Sequence, residues 1–195
     1  MVDHSLAPWR SPLSRALHRN RSLPYARYFQ LATVQSDGKP RNRTVVFRGF
    51  SDEGQIQIVT DQRSEKIEHI HHQPWGEICW YFPKTREQFR IAGAIALISH
   101  TSTQDNDQAL RHQIWHDLSD NARQQFAWPF PRHPRSDASD FDIEPPSPDA
   151  PLLHFSVLLL APHSVDHLEL KGNPQDRHVY ELSSAHEWKT RAVNP

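Results

Sequence analysis

RNRTVVFRGFSDEGQIQIVTDQRSEK, from Arg41 to Lys66, holds two strands, a turn and the start of a helix, with basic residues at both ends. In Arg43-Thr44-Val45-Val46-Phe47-Arg48 a β-branched and aromatic run lies between cations, which favours a pleated strand. Alternation sets Arg43, Val45 and Phe47 on one face and Thr44, Val46 and Arg48 on the other. Ser51-Asp52-Glu53-Gly54 has turn chemistry. Gln55 to Thr60 alternates again, and Thr60-Asp61-Gln62-Arg63-Ser64-Glu65-Lys66 opens a helix with cap-forming residues. The free N–H groups and positive dipole end of a helix start suit a phosphate, and Lys66 with the flanking arginines adds charge-assisted hydrogen bonds. This stretch therefore predicts a phosphate-bearing cofactor at a strand–helix corner. Arginine at strand ends and serine at a helix start also occur in proteins that bind nothing, so the downstream motifs decide.

Upstream, Leu6 to Asn20 predicts a short amphipathic helix with Ser11 as N-cap and Pro12 as its first residue. Tyr28 to Val34 is a first strand, turned by Ser36-Asp37-Gly38, so strands one to three form a meander. Downstream, Glu65 to His72 is a short helix with Ile67 and Ile70 inward. Ile78 to Phe82 is continuously apolar and reads as a strand buried on both faces. Gln88 to Ser99 is a long strand in which Gln88, Arg90, Ala92, Ala94 and Ala96 share a face that turns small and smooth, open to a flat ring or a second backbone. Asp105 to Trp128 predicts one helix. Residues 129–151 carry seven prolines in 23 positions, which marks a functional loop, an arm or a disordered segment. Leu152 to Ala161, Val165 to Leu170 and His178 to Leu182 are three further strands.

Composition narrows the function classes. The 195 residues suit one domain, 1–195, with a sizeable core. A net charge of −1 argues against a broad nucleic-acid footprint. One cysteine, Cys79, excludes an intrachain disulfide framework and fits a reducing compartment, so a cytoplasmic protein without a membrane span is expected. No Ser–His–Asp spacing, glycine-rich phosphate loop or HExxH is present. Of the fourteen histidines, His69 and His72 can share a helical face and His163 and His167 lie four apart. No cysteine or carboxylate completes a standard ligand spacing, so surface histidines and no metal are expected. Trp115 and Trp128 are assigned to core or a subunit interface, and Cys79 to inert core.

Three motifs, in order between Tyr28 and Tyr180, resemble the pyridoxamine-5′-phosphate-oxidase-like family of split-barrel flavin binders. Arg43 to Arg48 resembles the family strand that contacts flavin phosphate and ring. Thr60 to Lys66 resembles its phosphate clamp, and Gln88-Phe89-Arg90-Ile91-Ala92-Gly93 resembles the strand whose glutamine contacts the ring. The resemblance implies a mainly β, six-stranded split barrel with flanking helices, binding FMN between the subunits of a homodimer. It assigns Arg43, Thr44, Val45, Val46, Thr60, Ser64, Lys66 and Gln88 to the cofactor. Arg48 and Arg90 are expected to meet an anionic substrate group. The family's Ser-Arg-Lys reads Ser64-Glu65-Lys66 here, so Arg63 is expected to supply the missing charge while Glu65 turns outward. The family's aromatic residue before the threonine is Val59, its late tryptophan falls near Leu168, and its final arginine near Arg177. Its substrate-orienting Arg-x-His pair is not recognisable in Asn173 to His178, so a divergent member is expected, not pyridoxamine phosphate oxidase itself. FMN-dependent redox chemistry on a small molecule is the leading expectation; a non-catalytic flavin carrier or sensor and a haem-binding split barrel are the alternatives.

Overall fold

A computed structural model describes residues 6–195. It is mainly β with flanking helices. The elements are α1 (Arg10–Asn20), β1 (Tyr28–Val34), β2 (Pro40–Phe50), β3 (Ile56–Asp61), α2 (Glu65–His72), β4 (Trp75–Phe82), β5 (Glu87–Ile98), α3 (Asp105–His116), α4 (Asp120–Ala127), β6 (Phe155–Glu169), β7 (Asp176–Leu182) and β8 (Trp188–Val193). Strand order is β3-β2-β1-β4-β5-β6-β7-β8, and a further β3–β6 pairing closes the first six strands into a barrel. All pairs are antiparallel, and β1–β2–β3 is the expected meander.

Alternating side chains fill the barrel. Phe29, Leu31, Ile78, Trp80, Phe82, Phe89 and Ile91 are all fully buried. Trp80 stands 5.0 Å from both Phe29 and Phe47 and 5.1 Å from Phe82. Such tilted pairs add about 0.5–1.5 kcal/mol each beyond area burial. β4 corrects the two-faced burial expected of it: Ile78, Trp80 and Phe82 are buried, whereas Cys79 is half-buried and Tyr81 exposed. The apolar run misleads because Tyr81, with its polar hydroxyl, tolerates a half-wet surface.

Helix α1 starts at Arg10 with Trp9 as its cap, so Ser11 and Pro12 lie inside the first turn instead of opening it. Pro12 is tolerated there because first-turn N–H groups have no helical partner. Trp9, fully buried against Phe50 and Trp188, anchors that end of the helix. The two strands expected between Leu152 and Leu170 are one strand, β6, bent at a register shift opposite Ala92 and Gly93. The bend lets its first half pair with β3 and β5 and its second half with β5 and β7.

The single helix expected over Asp105 to Trp128 is two helices. α3 ends at His116 and Ser119 caps α4, accepting a hydrogen bond from the Ala122 N–H. Trp115, Phe126 and Phe155 form a second core there. Buried Arg123 binds this region to the proline-rich segment, donating to the carbonyls of Leu118 and Pro146 and pairing with Asp120. Arg123→Ala leaves those carbonyls without their donor. Limited proteolysis within residues 129–151 is expected to quicken about tenfold or more, for a local loss of roughly 1.5–3 kcal/mol, while the barrel's melting temperature moves little. Among the described residues, no helix is long and apolar enough to cross a membrane.

Candidate functional site

Strands β2 and β3 pair only from Phe47 to Phe50; beyond Ile58, β3 leaves β2 and pairs with β6 alone. The β3-facing backbone groups of β2 near Thr44 to Val46 therefore have no ladder partner from that side. A cavity of ≈ 790 Å³ opens there, lined by Thr44, Val45, Val46, Arg48, Val59, Thr60, Arg63, Ser64 and Lys66. That volume lies within the range of ligand pockets, roughly 300–1,000 Å³.

At its base Lys66 Nζ donates to Thr60 Oγ1 at 3.0 Å and to Ser64 Oγ at 2.7 Å. Ser64 is also the N-cap of α2, and its side chain makes no cap hydrogen bond, so its hydroxyl faces Lys66. Burial, with Arg43 close by, pushes the Lys66 ammonium down to about 8, against a smaller opposing pull from Asp61. Arg43 does not line the cavity; it stands behind it, donating to Leu31 O at 3.1 Å and Thr33 Oγ1 at 2.6 Å. The Thr33 hydroxyl in turn lies 2.9 Å from His69 Nδ1. His69 is buried, and burial first and Arg43 second hold its pKa below the ordinary value, which favours the uncharged ring. This corrects the expectation of surface histidines: His69 belongs to an ordered Arg43–Thr33–His69 chain, and His167 is buried as well.

Lys66 makes the cradle pH-dependent. Between about 8 and its ordinary 10.5, the unfolded chain carries a proton that the folded, ligand-free chain lacks. Stability of the ligand-free protein should therefore rise with pH across that window. A phosphate on Nζ restores the proton. As far as Lys66 titrates, affinity for a phosphate monoester is expected to stay constant with pH below about 8 and to fall above it, by up to roughly tenfold per unit. Thermal melts and binding titrations across the window check both signs.

Arg63 lines the cavity but is already paired. It meets Asp61 at 2.6 Å and donates at 3.1 Å to the carbonyls of both Phe126 and Trp128. Glu65 pairs with Arg132 of the cavity lining and is not itself part of that lining. Arg48 lies on the rim, half-buried, with its Nε unpartnered.

Gln88, Arg90 and Arg177 are not brought to this cavity. They lie together on the outer face of β5–β6–β7, where Gln88 and Arg177 flank Leu168. Arg90 and Arg177 reach Asp166 at 2.7 and 2.6 Å. In the closed barrel β1 and β4 separate β2 from β5 one way round, and β3 and β6 the other way. Outward-facing groups on opposite walls of one barrel cannot meet the same flat ring.

The opposite cavity wall is the segment that sequence reading left open. Phe126, Trp128, Phe130, Arg132, His133 and Phe141 line it. Trp128 therefore lines the cavity instead of packing in the core, whereas Trp115 is fully buried core. Trp128 packs edge-on to Phe141, and its indole Nε1 is buried without a partner. Aromatic residues among the prolines were the available signal, since Pro stiffens a chain that Trp and Phe then anchor.

Cations and hydroxyls at one end, unpaired strand backbone along one side, and apolar and indole groups opposite fit a molecule with a phosphate tail and a flat polar-edged ring. Residues 6–99 match the family described as "Pyridoxamine 5'-phosphate oxidase, FMN-binding domain". A pyridoxine/pyridoxamine 5'-phosphate oxidase 2 of Arabidopsis thaliana is 38% identical over 97% of this chain and 98% of its own. A solved pyridoxamine 5'-phosphate oxidase-related, FMN binding protein from Nostoc punctiforme PCC 73102 superposes with a TM-score of 0.95. It is 54% identical, over 98% of this chain and 100% of its own. PhzG from Burkholderia lata 383, 19% identical over 99% of this chain and 95% of its own, shares the fold with a TM-score of 0.79. Fold, cavity and full-length similarity together show that this chain belongs to the FMN-binding pyridoxamine 5'-phosphate oxidase family.

Proposed function

We propose that the chain, acting as one domain over 1–195, binds FMN in the β2–β3 cavity and uses it for redox chemistry on a small molecule. The carrying observation is the cradle read as the phosphate site: a half-buried ammonium held by two hydroxyls at the head of α2, with Arg43 close by. Thr60, Ser64 and Lys66 would hold the phosphate. Thr44, Val45 and Val46 would lie along the ring, offering backbone hydrogen bonds and flat apolar contact. Arg43 acts by fixing Thr33 and His69 beneath the cradle and by adding positive potential. Arg63 holds the aromatic wall against the cavity by its hydrogen bonds to the Phe126 and Trp128 carbonyls. When bound, FMN supplies hydride acceptance and donation, so the protein need provide only binding, orientation and exclusion of water.

Gln88, Arg90 and Arg177 enter this reading through a second copy of the chain. Their outward-facing cluster supports a homodimer in which β5–β7 of one subunit completes the ring site of the other. Gln88 would then both donate and accept at the ring's polar edge, while Arg48 and the partner's Arg90 would face an anionic substrate group. Pyridoxine 5′-phosphate and pyridoxamine 5′-phosphate, named by the Arabidopsis relative, are the first substrates to test.

The haem alternative is weakened at its proposed ligand. His69 is buried and committed to Thr33, and only His72 of that pair is exposed. The test is the visible spectrum of the purified protein, with FMN titration and size-exclusion chromatography. A yellow dimer binding one FMN per chain, and reduced by a substrate under anaerobic conditions, is expected. Protein that remains colourless in excess FMN refutes the binding site; a yellow protein that turns over no amine, alcohol or nicotinamide becomes the carrier.

A further inference from the structure

We propose that the end of the barrel beneath the last turn of α1 holds a divalent transition-metal site, formed by Glu87, His167 and Glu169. The site lies on the inner face of the sheet. Glu87 pairs with Glu169, and Phe89 with His167, across β5 and β6. That register points both carboxylates and the imidazole to one side of the sheet. Their ligand atoms all fall within 4.8 Å of one another.

The geometry is close to what a metal needs. His167 Nε2 is 2.9 Å from Glu87 Oε2 and 3.9 Å from Glu169 Oε1. Bond lengths of about 2.0–2.1 Å at a tetrahedral zinc ion place neighbouring ligand atoms roughly 3.3 Å apart, between those two distances. Metal binding needs a small opening of the first pair and closing of the second, with the Glu87 and Glu169 carboxylates, which start within 4.8 Å, adjusting to match. It also requires the Nε2 lone pair, so the proton shared with Glu87 moves to Nδ1 or to solvent.

Groups behind the ligands hold them in place, as second partners do in metal sites. The His167 ring stacks parallel on Phe89, with centroids 4.1 Å apart and planes at 9°. Thr85 stands beside Glu87 as a hydrogen-bond partner and itself accepts from the buried Asn20 amide at 3.1 Å. Asn20 is the last residue of α1, and its side-chain Oδ1 accepts from the Lys84 N–H at 2.9 Å, which ties the β4–β5 turn to the helix end. His167 is 2% exposed and Glu169 47%, so one ligand is sealed and another opens a path from solvent. Arg19 acts on Glu87 through space and moderates the negative charge, but two carboxylates against that one cation still leave room for a dication.

This departs from the expectation that the chain holds no metal. Glu87 and His167 are separated by 80 positions, so no local ligand spacing records them. The site is independent of the flavin reading, since its residues face inward at the barrel end and none lines the β2–β3 cavity.

The test uses the purified full chain after dialysis against a chelator. Zn²⁺ is titrated calorimetrically, and Co²⁺ is followed by its ligand-field absorption to the red of any flavin band. Wild-type protein should show a saturable site of one ion per chain. Glu169→Gln, half-exposed and expected to fold normally, should weaken that site at least tenfold; His167→Gln should abolish it, and His163→Gln should leave it intact. If wild type shows no such site, or if Glu169→Gln binds Zn²⁺ and Co²⁺ as wild type does, the proposal is overturned and Glu87–His167 is a structural hydrogen bond.

Discussion

Lys66→Ala is expected to weaken FMN binding by roughly ten- to a hundredfold, the cost of removing a charge-assisted hydrogen bond worth about 1.5–3 kcal/mol. The same substitution should leave the FMN-free protein at least as stable as wild type. Burial first and nearby Arg43 second depress the Lys66 pKa to about 8, and its hydrogen-bond partners are two neutral hydroxyls that carry no opposing charge. The protein therefore carries this cation at a cost that the bound phosphate offsets. Fluorescence titration of FMN and a melt of the FMN-free form separate the two effects. Equal losses in both would mean that Lys66 is structural and that the phosphate lies elsewhere. Arg63→Ala should behave differently. Its guanidinium is neutralised by Asp61, so its loss should act through the aromatic wall that it holds. A larger drop for Arg63→Ala than for Lys66→Ala would show that Arg63 supplies the phosphate charge after all.

Gly93→Ala is expected to be the most destabilising single-methyl change in the barrel. A Cβ at Gly93 would lie 1.9 Å from Ala161 O, 2.7 Å from Ala161 C and 3.0 Å from Pro162 Cα. These are backbone atoms in the strand pairing that holds the bend of β6, so no side-chain rotation relieves the clash. Overpacking of this kind costs about 1–3 kcal/mol where neighbours can yield, and more where they cannot. A melting temperature lower by roughly 6–12 °C, or failure to accumulate as soluble protein, is expected. Gly38→Ala is the control. It has φ +81° but nothing within 4 Å of the new methyl, so only the backbone penalty of about 1–2 kcal/mol applies. If both variants melt together, the close approach at Gly93 is not what shapes the barrel.

The sequence made the strand–helix corner legible because its chemistry is local. Thr60, Ser64 and Lys66 lie within seven consecutive residues, and α2 spans the residues that periodicity assigned to it. The first three strands were legible for the same reason, through alternation and through Gly38 and Gly54, which turn with positive φ. What escaped depends on distant partners. Nothing local says that helical periodicity breaks at Asp117 to Ser119, because Trp115 and Phe126 both point into one core across the break. β8, with four exposed residues out of six, lacks an apolar stripe and is defined mainly by pairing with β7. His69 and His167 read as surface residues because imidazole is polar. Their burial rests on Thr33 and Glu87, which only the folded sheet brings near. The division of Lys66 from Gln88 likewise follows from barrel closure, which no motif order encodes.

The two strands appended beyond the closed barrel leave β8 as the sheet's terminal strand. A bare edge of this kind is a template on which another chain could add a strand, the first step towards aggregation. β8 is only six residues long and carries Lys189 and Arg191 on its exposed positions, with Arg191 held to Glu181 at 3.0 Å. Like charges stacked in register against a second copy would repel, which disfavours strand addition at this edge. Neutralising both residues should therefore shorten the protein's life in concentrated solution before it changes how the barrel folds.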